Sequence, residues 1–264
     1  VASDPVASRA RLALRSAAAH AFVADLAAPS LAPEDHHHLE RVLRLRPGQV
    51  VTVADGAGNW RCCTWVAGGL EPVGEVSAVP APAPVVTVGL ALTKGERPDW
   101  AVQKLTEMGV DRILFLVTAR TVVRPDAEAV DRRMQRWRRL AREAAMQSRR
   151  TMLPEVAGVL SLADVAAEAD VAGDGVGRTG AGAGVGVGVG VGLAEPGGEP
   201  PSLDRPVVLV GPEGGWGPEE LASGLPTVDL GPGVLRTESA AVAAAVLLCS
   251  LRVGVVGEKR PERD

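Results

Sequence analysis

The run Pro80-Ala81-Pro82-Ala83-Pro84 constrains this chain more than any other feature. Three prolines in five residues hold the backbone extended, supply neither helix nor central strand, and separate two stretches of different hydrophobic periodicity. Before the run, the short segments Val50–Ala54, Trp60–Val66 and Val73–Val79 are divided by Asp55-Gly56-Ala57-Gly58-Asn59 and by Gly68-Gly69. Such punctuation predicts hairpins of a small antiparallel barrel, preceded by a helix over 34–45 that Pro47-Gly48 ends. After the run, the apolar segments Val85–Leu92, Ile113–Val117 and Val207–Val210 alternate with helical stretches, the pattern of an α/β domain around parallel strands. The expected domains are therefore 1–82 and 83–264. With 264 residues, 46% of them hydrophobic, both halves can fill a core.

Two helices stand out in the second half. Asp99 suits the cap of a helix starting near Trp100 and stopped by Gly109. A longer one, over 128–148, gathers Val130, Met134, Trp137, Ala141, Ala144, Ala145 and Ser148 on one face, with Arg132, Arg136 and Arg139 opposite and Arg133, Arg138 and Arg142 on the flanks. That arginine face suits either simple solvation or contact with RNA phosphates. Residues 173–202, with the tract Gly184–Gly192, have too little side-chain mass for a core and read as a flexible insertion.

Net charge is −4 overall but uneven: −1 over residues 1–90, +6 over 91–150 and −9 over 151–264. An indiscriminate nucleic-acid binder is disfavoured, whereas a local basic surface can still steer a polyanion. No stretch of about 20 apolar residues is free of glycine and charge, and the first thirty residues lack the unbroken apolar core of a secretory signal, so a cytoplasmic protein is expected. Cys62 and Cys63 point to opposite faces of a strand and fit neither a disulfide framework nor a thiolate zinc site. His36, His37 and His38 diverge too far to share one cation, so no metal is expected.

Three segments carry chemistry. The strand Val207–Val210 runs into Gly211-Pro212-Glu213-Gly214-Gly215 and then a helix start at Pro218, a setting in which α/β proteins collect ligands. It matches neither phosphate-loop pattern, so a nucleotide-like ligand fits better than a triphosphate. A second unit, Leu230-Gly231-Pro232-Gly233-Val234-Leu235-Arg236-Thr237-Glu238, leads into a small-residue helix through about Cys249. Thr237 and Glu238 suit a cap and a first-turn acid as well as a site, while Arg236 is placed to reach a ligand. The third, Lys94-Gly95-Glu96-Arg97, follows a strand and suits an anion or an ordinary exposed loop.

At these motifs the chain resembles the bacterial 16S ribosomal RNA uridine-N3 methyltransferases of the SPOUT superfamily. The resemblance runs through His38-Leu39-Glu40-Arg41-Val42-Leu43-Arg44 with Pro47-Gly48, Lys94-Gly95, Gln103-Lys104, Glu107-Met108-Gly109-Val110, Arg120, Glu143–Arg149 and Pro154, and ends with Gly211–Gly215 and Leu235–Glu238. Gly233 stands where that family's pattern has arginine. The resemblance implies an N-terminal PUA-like β-barrel and a C-terminal α/β domain with a deep trefoil knot, a topology that general folding rules would exclude. It implies S-adenosylmethionine held by Gly211, Pro212, Glu213, Gly214, Gly215, Leu230, Gly231, Val234, Leu235, Arg236 and Thr237. Arg236 would bind the uracil, with Glu213 or Glu238 taking the N3 proton. It further implies a homodimer acting on 16S rRNA of the small ribosomal subunit through Arg41, Arg44, Lys94, Arg97, Arg120 and Arg149. A ribose 2′-O RNA methyltransferase of the same superfamily and a catalytically silent RNA-binding assembly factor remain open.

Overall fold

The computed structural model describes residues 12–173 and 190–257. They form two units, one built from the chain up to Ala81 together with Arg142–Leu153, the other from Pro82–Ala141 and the chain from Pro154 on. The division falls inside the proline-rich run. The expected contiguous boundary leaves Arg142–Leu153 with the second half, since the local sequence makes its first part the end of the helix over 128–148 and gives no reason to move it.

The first unit is a four-stranded sheet: β1 (Ala19–Phe22) pairs parallel with β2 (Val50–Ala54), then β3 (Asn59–Val66) and β4 (Gly69–Ala78) follow antiparallel. The turn between β2 and β3 is set by the Asp55 carboxylate, which accepts hydrogen bonds from the amides of Ala57 (2.7 Å) and Asn59 (3.1 Å). A register shift between Trp60 and Cys62 re-phases β3, so that Trp60 packs with Phe22 and Ala145 while Cys63 and Trp65 pack with Val51, Val53 and Leu39. Burial pushes the Cys63 thiol up to about 11, as befits a core side chain.

Arg142–Leu153 belongs to this unit through both side-chain and backbone bonds. The Arg142 guanidinium grips the buried Asp35 carboxylate at 2.5 and 3.1 Å and donates to the Phe22 carbonyl. Leu153 N donates to Gly56 O (3.0 Å) and Gly58 N to Thr151 O (3.2 Å). His20, 3% exposed, donates Nε2–H to the Arg150 carbonyl (2.9 Å) and accepts the Thr52 hydroxyl at Nδ1 (2.8 Å). Burial holds its pKa down at about 4, so the imidazole is neutral.

The second unit centres on a six-stranded parallel sheet in the order β10-β8-β9-β5-β6-β7, comprising β5 (Thr87–Ala91), β6 (Arg112–Leu116), β7 (Glu155–Leu160), β8 (Val191–Glu199), β9 (Val207–Val210) and β10 (Thr227–Val228). Its helices include α2 (Arg97–Met108), α3 (Ala127–Gln147), whose residues from Arg142 on belong to the first unit, and α6 (Thr237–Arg252); α1 (Pro33–His37) lies in the first unit, α4 (Leu162–Gly173) follows β7, and α5 (Pro218–Leu221) is one turn. Gly109 ends α2 at φ 97°, as its sequence predicts. Asp99 does not cap α2. It lies in the first turn and accepts hydrogen bonds from Trp137 Nε1 (2.8 Å) and Arg136 Nε (2.7 Å), fixing α3 to α2 while Trp137 stacks on Phe115.

The expected flexible insertion is corrected in part. Residues 174–189, most of the glycine tract, lie outside the described residues. Val191–Glu199 is a strand between β9 and β10, with Val191 and Leu193 buried. The glycine that argued for freedom is required by closeness, because a Cβ on Gly192 would overlap the Val228 side chain.

Candidate functional site

Strand order reverses in this sheet between β5 and β9. The segments β5, β6 and β7 step outward on one side, while β9, β8 and β10 build the other, and ligands collect beyond the carboxyl ends of strands at such a point. A cleft of about 190 Å³ opens there, walled by Ala194–Pro196 on β8, Val210–Glu213 after β9, Asp229–Gly231 after β10, and Val234, Leu235 and Thr237 at the start of α6. Trp216 forms its floor, donating its indole N–H to the Ala194 carbonyl (3.0 Å). The ring lies so close to Gly211 that an added Cβ would sit 3.2 Å from it, which is why glycine follows β9 here.

Hydrogen bonds tie the walls of the cleft together. The Thr237 hydroxyl donates to the Gly211 carbonyl (3.0 Å). It does not cap α6, because Arg236 occupies the N-cap position and has no side-chain capping bond. Asp229 accepts the Gly231 amide (2.8 Å) on one oxygen and the Gly197 amide (3.2 Å) on the other. The cleft is thus lined largely by backbone, with the acids Glu195, Glu213 and Asp229 and with no basic residue among its described lining. Phosphate-bearing cofactors are poorly matched by such a wall, whereas a ligand carrying positive charge is well matched.

Most residues singled out in the two glycine-rich motifs converge here. Gly211, Pro212, Glu213, Gly215, Leu230, Gly231, Val234, Leu235 and Thr237 line the cleft, as does Gly233. Gly214, Arg236 and Glu238 do not. Gly214 turns toward Arg120, and Arg236 is exposed beside the cleft. Arg97, the first residue of α2, donates to Glu213 (2.5 Å) and lies 3.7 Å from Glu238, so it joins both candidate bases. The two carboxylates differ: the Glu213 side chain is 47% exposed, while that of Glu238 is 14% exposed and its Oε2 is buried with no hydrogen-bond partner.

The basic residues do not share one role. Lys94 is exposed in the second unit, and Arg41 and Arg44 are exposed in the first, Arg41 beside Glu40 at 3.3 Å. Arg149 has an internal partner as well: its guanidinium donates to the carbonyls of Ala17 (3.0 Å) and Ala18 (3.4 Å), and desolvation lowers its pKa, so it ties the segment after α3 to the residues before β1. Sequence reasoning missed Glu195, hidden in the supposed insertion, and Asp229. The Asp229-Leu230-Gly231 spacing, in which the side chain can bond two residues on, was the signal for the latter.

Residues 80–249 match the family model of the RNA methyltransferase domain, and residues 31–64 match that of the RNA methyltransferase PUA domain. The chain is 40% identical over 222 residues to Ribosomal RNA small subunit methyltransferase E of Mycobacterium bovis, covering 80% of this chain and 82% of the relative. Among solved structures it resembles a probable rRNA-methyltransferase from Porphyromonas gingivalis, with a TM-score of 0.69 at 23% identity over 90% of this chain and 100% of that one. It also resembles Ribosomal RNA small subunit methyltransferase E from Neisseria gonorrhoeae, solved bound to S-adenosyl methionine, with a TM-score of 0.63 at 23% identity over 88% and 97% of the two chains.

Proposed function

We propose, from the premise that this chain belongs to the RNA methyltransferase family, that it methylates small-subunit ribosomal RNA with S-adenosylmethionine as donor, at N3 of a uridine in the 16S molecule. The observation that carries this is the cleft itself: two glycine-bearing loops present backbone groups for an adenine, and three carboxylates, with no basic residue among the described lining, suit a sulfonium and an ammonium. Bound there, S-adenosylmethionine supplies an electrophilic methyl group, so the protein needs only to align the acceptor and manage one proton.

Glu238 is the better acceptor of the N3 proton. Its buried Oε2 has no competing donor, whereas Glu213 is solvated and already takes the Arg97 bond. Arg236, beside the cleft and next to Leu235, Thr237 and Glu238, binds the uracil oxygens on which charge develops. RNA phosphates are met by Arg41, Arg44 and Lys94, whose side chains reach solvent.

The finer architecture belongs to the same proposal. A closed PUA-like barrel completes the four-stranded sheet, and a deep trefoil knot brings the loops after β9 and β10 together, a reading supported by the Thr237–Gly211 bond between them. A homodimer is supported by the exposed Val246 on α6 and Val253, Val255 and Val256 beyond it.

The test is incubation with labelled S-adenosylmethionine and small ribosomal subunits from a strain lacking the native enzyme, followed by nucleoside mass spectrometry. Label in 3-methyluridine is expected. Label in a 2′-O-methyl nucleoside would move the chain to the ribose-modifying class, and RNA binding with no label would make it an assembly factor.

A further inference from the structure

We propose that Arg120 is a positioning residue for the cofactor loop: its guanidinium fixes the Gly214 carbonyl and sets the shape of the Gly211–Gly215 turn before any ligand arrives. The proposal rests on the reading of the cleft as the S-adenosylmethionine site.

Arg120 stands in the turn that follows β6. That turn is braced by two buried threonines, for Thr121 Oγ1 accepts the Thr118 amide (2.9 Å) and lies 2.8 Å from the Thr118 hydroxyl. From this footing two groups cross to the loop after β9. Arg120 Nη1 donates to the Gly214 carbonyl at 2.5 Å, and Ala119 N donates to one oxygen of Glu220 at 2.8 Å. The other Glu220 oxygen accepts the Gly217 amide at 2.7 Å, so the loop is pinned at Gly214 and again at the start of α5. The arginine side chain also lies along the turn: a Cβ on Gly214 would sit 3.6 Å from Arg120 Cδ.

The turn needs such a brace. It contains two adjacent glycines, Gly215 at φ 71°, and is closed by the single backbone bond Gly215 N to Pro212 O (2.8 Å). Glycine loses the most conformational freedom on ordering, and a loop ordered in advance spares the ligand that cost. The sequence alone places Arg120 with the RNA-facing basic residues. Its donor is instead directed at a backbone carbonyl of the cofactor loop, on the exposed side of the turn, and a bond from a charged donor is among the stronger ones.

Arg120→Ala and Arg120→Lys in the full chain test this by three readouts: calorimetric Kd for S-adenosylmethionine, affinity for small-subunit RNA across a salt series, and amide hydrogen exchange without ligand. Arg120→Ala should raise the cofactor Kd roughly fivefold to tenfold, the loss of one solvent-exposed hydrogen bond. It should also speed exchange at the Gly215 and Gly217 amides, while leaving RNA affinity and its salt slope unchanged. Arg120→Lys, which keeps one donor, should recover most of the cofactor affinity. An unchanged cofactor Kd overturns the proposal; if the RNA salt slope also falls by about 0.7, Arg120 is a phosphate contact. If the wild-type protein binds no S-adenosylmethionine, the functional reading fails by itself, and unchanged exchange at Gly215 and Gly217 would separately refute the brace.

Discussion

Acidification from pH 7 to pH 5 should weaken the first unit by about 2 kcal/mol through one side chain, His20. Its imidazole is 3% exposed, donates to the Arg150 carbonyl and accepts the Thr52 hydroxyl, and burial holds its pKa at about 4 against 6.5 in the unfolded chain. Protonation would turn Nδ1 into a donor facing a hydroxyl already held by it, beside the Arg149 positive charge. Between pH 6.5 and 4 the unfolded state therefore binds more protons than the folded one, so stability falls as pH falls through that window and is fully present above it. At about 1.36 kcal/mol per pKa unit, the full loss by pH 4 is about 3 kcal/mol, of which about 2 has gone by pH 5. Urea unfolding followed by the fluorescence of Trp60 and Trp65, both in this unit, measures it against His20→Gln, which keeps a donor for the carbonyl but cannot titrate. The wild type should lose about 2 kcal/mol more than the variant between pH 7 and 5. Equal losses, or a His20 proton resonance titrating near pH 6.5, would refute the reasoning.

Three further outcomes follow from the site. Glu238→Gln should lower the single-turnover rate about 100-fold or more with cofactor Kd unchanged, and Glu213→Gln should cost far less; the reverse order would exchange their roles. Thr237→Val removes the hydroxyl from the Gly211 carbonyl and should cost about 1–3 kcal/mol in thermal or urea unfolding, together with weaker cofactor binding by calorimetry; unchanged stability would mean that the carbonyl finds water instead. Gly233→Arg adds charge where an added Cβ meets nothing within 4 Å, so it should fold normally and steepen the salt dependence of RNA binding by about 0.7, checked by titration at several salt concentrations.

Legibility in the sequence followed the range of the interactions concerned. Val207–Val210 is a strand because four apolar β-formers run into a glycine turn, and Gly109 ends α2 because only a residue tolerant of positive φ fits there; both are local facts. The two glycine-bearing motifs were recognisable for the same reason, and ten of their residues do line the cleft. Misreadings arose where a residue's partner is far away in the chain. Asp99 has the look of a cap but serves Arg136 and Trp137, and Gly192 has the look of a flexible linker but fits a strand against Val228.

What the amino-acid order determined by itself was the division at the proline run, the periodicities on either side of it and the glycine turns, since each depends on backbone preferences within a few residues. Only the tertiary structure decided what the charged groups are for. Arg120, Arg142 and Arg149 are equivalent cations in sequence, yet one braces a glycine turn, one grips a buried carboxylate and one binds two carbonyls of the first unit. A guanidinium on a long side chain takes its role from whichever acceptor folding brings within about 3 Å, and those acceptors lie 94, 107 and 132 residues away.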